Sequence, residues 1–202
     1  MTMMKTLKAL TGVLVAMAAS QAFADDIRLG QPAYGGSGCP AGSASAVVSP
    51  DQQSLSVLFD QYIVEAGGMT GKRLDRKSCN LAIPVHVPQG YSIALFQVDY
   101  RGFAAIPSGG RGQFNAEYFF AGSQGPRQTK TFTGPTNRDY ELTSRLAAGS
   151  LVWSPCGAST NLRINTGMMV QTNASYADAL ATVDSADVTA GLIYHIQWRR
   201  CH

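Results

Sequence analysis

Asp99 and Glu117 are the residues best suited to acid–base chemistry, and Arg101 lies two positions beyond Asp99. Hydrolysis of a glycosidic bond needs two carboxyl groups about 5 to 10 Å apart across a cleft, one to give a proton and the other to attack or to activate water. If the strands carrying Asp99 and Glu117 are neighbours, they could supply that pair, with Asp60 as a further carboxylate. The plainer reading puts both on the wet face of a sheet, or pairs one with Arg101. His86 and His195 fall in two different strands and His202 ends the chain, with no H-x-H or H-E-x-x-H spacing. A metal site would have to be assembled from His86 and His195 in space, so these are expected to be polar-face or cleft histidines, with no metal or cofactor. Asp99, Arg101, Glu117, His86 and His195 form the candidate surface site.

Other motifs resolve more simply. Gly35-Gly36-Ser37-Gly38-Cys39 lacks the final glycine of a nucleophile elbow and does not lie between a strand and a helix, so a tight turn presenting Cys39 to a disulfide is the better account. Trp153 and Trp198 stand near Cys156 and Cys201 and could stack on sugar rings, although Trp198 falls on the apolar face of its strand, where core packing is expected. Lys72-Arg73-Leu74-Asp75-Arg76-Lys77 could attract an acidic glycan or an anionic membrane surface, but Asp75 interrupts it and a solvated loop is expected. Asn173-Ala174-Ser175 is a sequon that matters only in a eukaryotic host. No catalytic residue is assigned.

These side chains must be positioned by strands. After the first 24 residues there is no long helical period, while β-branched and aromatic runs recur between turn signals. Strands are expected over 44–49, 55–64, 79–87, 91–103, 113–121, 129–133, 140–146, 162–172, 179–184 and 191–199. Pro88-Gln89-Gly90 is short enough to make its flanking strands a hairpin. Pro84 cannot donate a ladder hydrogen bond, which predicts an edge strand or a bulge there. Leu81, Ile83, Val85 and Val87 form one apolar face, and Leu192, Tyr194, Ile196 and Trp198 another. The expected fold is all-β: a single-domain antiparallel β-sandwich or jelly roll with two disulfides, and a closed barrel as the alternative.

Lys5 and Lys8, the apolar run from Ala9 to Ala19 and Ala22-Phe23-Ala24 read as a secretory signal peptide over 1–24, too short to span a bilayer, leaving a secreted all-β domain over 25–202. Export, extracellular or periplasmic, implies an oxidising compartment where Cys39, Cys79, Cys156 and Cys201 pair. No two of them make C-x-x-C, which argues against zinc or thioredoxin-like chemistry. Cys39–Cys79 with Cys156–Cys201 is the preferred pairing, although three are allowed. Of the 16 Lys and Arg, two lie in the leader, which leaves 14 against 13 acidic residues. So even a balance excludes a dedicated nucleic-acid binder. No later segment is long and apolar enough for a transmembrane helix.

Several ordered motifs have a familiar spacing: Tyr34-Gly35-Gly36-Ser37-Gly38-Cys39-Pro40, Cys79 opening a strand before Pro88-Gln89-Gly90, Asp99-Tyr100-Arg101-Gly102, Phe132-Thr133-Gly134-Pro135, Leu151 through Gly157, and Tyr194 through Cys201. From Tyr34 to Cys201 the chain resembles the secreted-protein family called domain of unknown function 4360, found in bacteria and fungi. The resemblance implies secretion, one β domain and the four-cysteine framework, and it transfers no functional site. The reading that results is a non-enzymatic exported β-sandwich that binds a glycan or a protein at or beyond the cell surface. A secreted enzyme such as a glycan hydrolase, and a structural or filament-forming subunit, are the alternatives.

Overall fold

The computed structural model describes residues 28–48, 54–145, 148–183 and 192–201. The expected leader over 1–24 lies outside them. The described chain forms thirteen strands: β1 Arg28–Leu29, β2 Ala33–Gly35, β3 Ala44–Val48, β4 Ser54–Phe59, β5 Ile63–Ala66, β6 Leu74–His86, β7 Tyr91–Ile106, β8 Arg111–Phe120, β9 Arg127–Thr133, β10 Thr136–Arg145, β11 Thr160–Gln171, β12 Ala179–Thr182 and β13 Leu192–Arg200. A short 3-10 turn, Ala148–Ser150, is the sole helical element among the described residues. All pairings between the strands are antiparallel.

The strands form two sheets. In the first, β1 and β2 share one side of β6, followed by β11, β8 and β9. The second runs β3, β4, β13 and β7; β12 and β5 continue on the β13 side, and β10 lies along the opposite side of β7. Alternation turns one face of each sheet inward. In β8, Phe114, Ala116, Tyr118 and Phe120 are buried, while Gln113, Asn115, Glu117 and Phe119 alternate with them. The inner faces meet through aromatic contacts: the Tyr100 ring centre lies 4.6 Å from that of Phe114, and the Tyr100 and Tyr118 hydroxyls are hydrogen-bonded. This is the all-β sandwich expected from the alternation, closed by the core rather than by barrel formation.

Both disulfides are formed, Cys39–Cys79 and Cys156–Cys201, with Cα separations of 5.3 and 6.1 Å. The glycine-rich turn explains the first. Gly36 has φ of +142°, and a Cβ there would meet the Ser78 carbonyl oxygen at 2.2 Å, so only glycine lets this turn approach β6 closely enough. Ser37 Oγ accepts from the Ser78 N–H at 3.1 Å, a structural task instead of a nucleophilic one.

Several local expectations need correction. The single strand over 55–64 is broken by a bend: the Asp60 N–H bonds the Ser43 carbonyl at 3.0 Å, Tyr62 turns into the core, and β4 and β5 pair with different neighbours. Pro88-Gln89-Gly90 makes no hairpin, because β6 belongs to one sheet and β7 to the other; the turn carries the chain across the sandwich. Nor is β6 an edge strand. Pro84 lies opposite the interval between β1 and β2, and its carbonyl accepts from Gly30 at 2.7 Å, so its ring nitrogen faces the side where the ladder is already interrupted. The basic run is not wholly a loop, since Leu74 onward enters β6. Burial would raise the Asp75 pKa, but the Glu65 N–H and the Lys72 ammonium, 3.0 Å away, outweigh it and hold that carboxyl below its usual range.

Candidate ligand-binding groove

The two sheets separate the residues singled out for acid–base chemistry. Asp99 is on β7 and points to the outer face of the second sheet, 9 % exposed, where Gln97 Nε2 donates to its Oδ2 at 2.9 Å. Glu117 is on β8, on the outer face of the first sheet, 3.4 Å from Arg127 Nη2 on β9. The whole sandwich lies between them. With stacked sheets about 10 Å apart and both side chains directed outward, they cannot face one another across a cleft. Arg101 shares the outer face with Asp99 and binds Glu141 Oε1 at 2.9 Å through Nη2.

The histidines are divided in the same way. His86 ends β6 with Nδ1 3.2 Å from Ser159 Oγ, beside a recess of about 340 Å³ shared with Leu29, Pro84 and Asn161. His195 belongs to β13, in register with Gln97 and Ser54, next to a shift in pairing between His195 and Ile196. Among the described residues, no three His, Cys, Asp or Glu side chains are grouped to hold a metal. Trp153 extends the sheet beside Ala94 and is partly covered, its ring 4.0 Å beneath the Arg199 guanidinium. The Trp198 side chain lies outside the described residues; its backbone is in register with Ile93. Asn173 is occupied locally, its Nδ2 donating to the Ser108 carbonyl at 2.9 Å.

A more enclosed site lies at the seam of the sandwich. β9 is an edge of the first sheet and β10 an edge of the second, and between them run two hollows of about 280 and 370 Å³ that share Lys130, Glu141 and Leu142. The smaller is backed by Tyr100 and Phe114, and the larger by Ala104, Phe132 and Tyr140. The Phe132 and Tyr140 ring centres are 4.8 Å apart, so an aromatic pair from opposite sheets forms part of the floor. Tyr140 is seated by Gly102: a Cβ on Gly102 would fall 2.6 Å from the Tyr140 hydroxyl, which donates to the Thr182 carbonyl at 2.5 Å. Gln128 and Thr129 border one hollow and Thr133 and Arg138 the other, giving amides, hydroxyls and charges along the rim.

An aromatic floor with polar walls can hold a flat amphipathic ligand. The C–H face of a sugar ring can lie against Tyr140, the partly exposed ring, with Phe132, Tyr100 and Phe114 buried behind it, while the sugar's hydroxyls bond the rim. None of these residues was in the candidate site read from the sequence. The available signal was Lys130 alternating in phase with Phe132, which places a cation on the apolar side of β9.

The fold and groove define a disulfide-bonded antiparallel β-sandwich with a ligand-sized cleft between two edge strands. The chain belongs to the family described as Domain of unknown function (DUF4360), whose sequence model matches residues 25–201. It is 35 % identical over 178 residues to an "Uncharacterized secreted protein" of Arthroderma benhamiae, a match covering 88 % of this chain and 73 % of that one. Together with two formed disulfides, that kinship identifies a secreted protein. Among solved structures it is similar to TmCBM61 in complex with β-1,4-galactotriose, with 12 % identity, 84 % of this chain and 88 % of that chain covered, and a TM-score of 0.28. An overlay that distant carries no argument about this chain's ligand. Among the described residues no helix is long and apolar enough to cross a membrane.

Proposed function

We propose that this secreted sandwich is a glycan-binding module whose ligand lies in the groove between β9 and β10. The observation that supports the reading most strongly is the joining of two hollows over Phe132, Tyr140, Tyr100 and Phe114 beneath a rim of amide and hydroxyl side chains. Pockets of a few hundred Å³ with an apolar base and a few directed polar groups are the usual form of a small-ligand site. The two-carboxylate hydrolase reading loses its support, because Asp99 and Glu117 face away from each other on opposite sheets. The filament reading is weakened by Arg138, Asp139 and Glu141 on the β10 edge, since charges on an edge strand discourage edge-to-edge pairing.

The test is a screen of immobilised neutral and acidic oligosaccharides against the mature protein, followed by titration of any ligand found. Tyr140→Ala should weaken binding by about tenfold through loss of the stacking surface, whereas Tyr140→Phe, which retains the ring, should bind nearly as well. Absence of any glycan ligand, or a ligand indifferent to Tyr140→Ala, refutes the assignment.

A further inference from the structure

Along an edge strand of a sandwich, every second side chain points into the seam. In β9 these are Gln128, Lys130 and Phe132, in register with Ala116, Phe114 and Gly112; in β10 they include Thr136, Arg138, Tyr140 and Leu142, in register with Ile106, Ala104, Gly102 and Tyr100. The two charged groups in these inward rows are both cations, one from each sheet, and both border the larger hollow. Neither Lys130 nor Arg138 has an ion-pair partner among the described residues. Two carboxylates, Asp139 and Glu141, also border that hollow, but they belong to the alternate row of β10, and Glu141 is held by Arg101 at 2.9 Å.

Resting on the glycan reading of the groove, we propose that its ligand class is an acidic glycan, a chain of uronic acids, with Lys130 and Arg138 binding ring carboxylates above the Phe132–Tyr140 floor. A guanidinium meets a carboxylate through two parallel N–H donors, and an ammonium meets it as a point charge, so cations on opposing walls can engage successive acidic rings. The arrangement fits a sugar chain better than an added peptide strand. The free ladder groups of an edge strand point sideways in the plane of the sheet, so a docked strand would lie beside β9 or β10 and leave the groove between them empty. Inward-pointing charges also serve to keep sheet edges from pairing with other copies, and this competing explanation makes a different prediction.

The experiment titrates the mature protein with trigalacturonate, with its neutral methyl ester, and with a short polyglutamate peptide, at low and high salt. The expected result is binding of the acid at least about tenfold tighter than of its ester, weakening with salt, with that preference lost in K130Q/R138Q and retained in R163Q, whose residue lies on the outer face of the first sheet. Thermal melting of each variant verifies folding, and size-exclusion chromatography follows oligomeric state. Equal binding of acid and ester overturns the charge assignment while leaving the glycan reading intact. Binding of polyglutamate with neither sugar, or of none of the three, overturns the acidic-glycan proposal, while the glycan reading itself stands or falls with the oligosaccharide screen. If K130Q/R138Q self-associates and its affinity for trigalacturonate is unchanged, protection of the edges accounts for the cations and the proposal fails.

Discussion

Replacing Tyr62 with phenylalanine should make the protein less sensitive to alkali, and the size of the effect follows from the ring's surroundings. Tyr62 is 1 % exposed and its hydroxyl donates to Thr166 Oγ1 at 3.3 Å. A Cβ on Gly38 would sit 2.5 Å from the ring, so Tyr62 packs against the turn that leads into Cys39. Burial disfavours the phenolate and pushes the Tyr62 pKa from 10.0 up to about 12, an effect larger than the opposing contribution of its hydrogen bond with Thr166. The folded state therefore keeps a proton that the unfolded chain gives up between pH 10 and 12. The associated stability is complete below pH 10 and is lost as pH rises through about 12. The full amount is about 3 kcal/mol, of which roughly 1.4 kcal/mol should be gone by pH 11. At pH 8, Y62F should be less stable by about 1 kcal/mol, the net worth of the hydroxyl's hydrogen bond. The two proteins should converge near pH 11, and the variant should be the more stable above it. Urea unfolding of both at pH 8, 10 and 11 measures this, because effects of other titrating groups are common to the pair and cancel. Parallel loss of stability in the two proteins would refute the account of Tyr62 as a buried neutral phenol.

The disulfides should differ in accessibility more than in entropic contribution. Their sequence separations of 40 and 45 residues each correspond to about 4 kcal/mol in the chain-entropy model, but Cys39 and Cys79 are 0 % exposed whereas Cys156 is exposed. Mild reduction followed by alkylation and peptide mapping should label Cys156 and Cys201 first, and C39A/C79A should lose more stability in urea than C156A/C201A because it also empties part of the core. Preferential labelling of Cys39 and Cys79 would contradict this. For export, Edman sequencing of the secreted protein should begin at Asp25, since Ala22 and Ala24 provide the small residues that the signal peptidase requires; a chain still starting at Met1 would remove the leader assignment.

Alternation was sufficient to read much of the architecture from the residues alone. Phe114, Ala116, Tyr118 and Phe120 in β8, and Leu81, Ile83 and Val85 in β6, announce a buried face because side chains in a strand repeat every two residues, a local property. The spacing of the four cysteines made disulfides the expected use of those residues, since it lacks the C-x-x-C signature of zinc and redox sites. The same periodicity does not say which sheet a strand joins. Asp99 and Glu117 therefore looked like possible neighbours until sheet membership placed them on opposite outer faces, and Pro88-Gln89-Gly90 looked like a hairpin turn until it crossed between the sheets. Lys130 and Arg138 are eight residues apart on strands that no turn rule brings together across the seam. That both border one hollow with Phe132 and Tyr140 depends on how the two inner faces bury one another, an energy summed over contacts distant in sequence, and that sum is settled only when the whole sandwich packs.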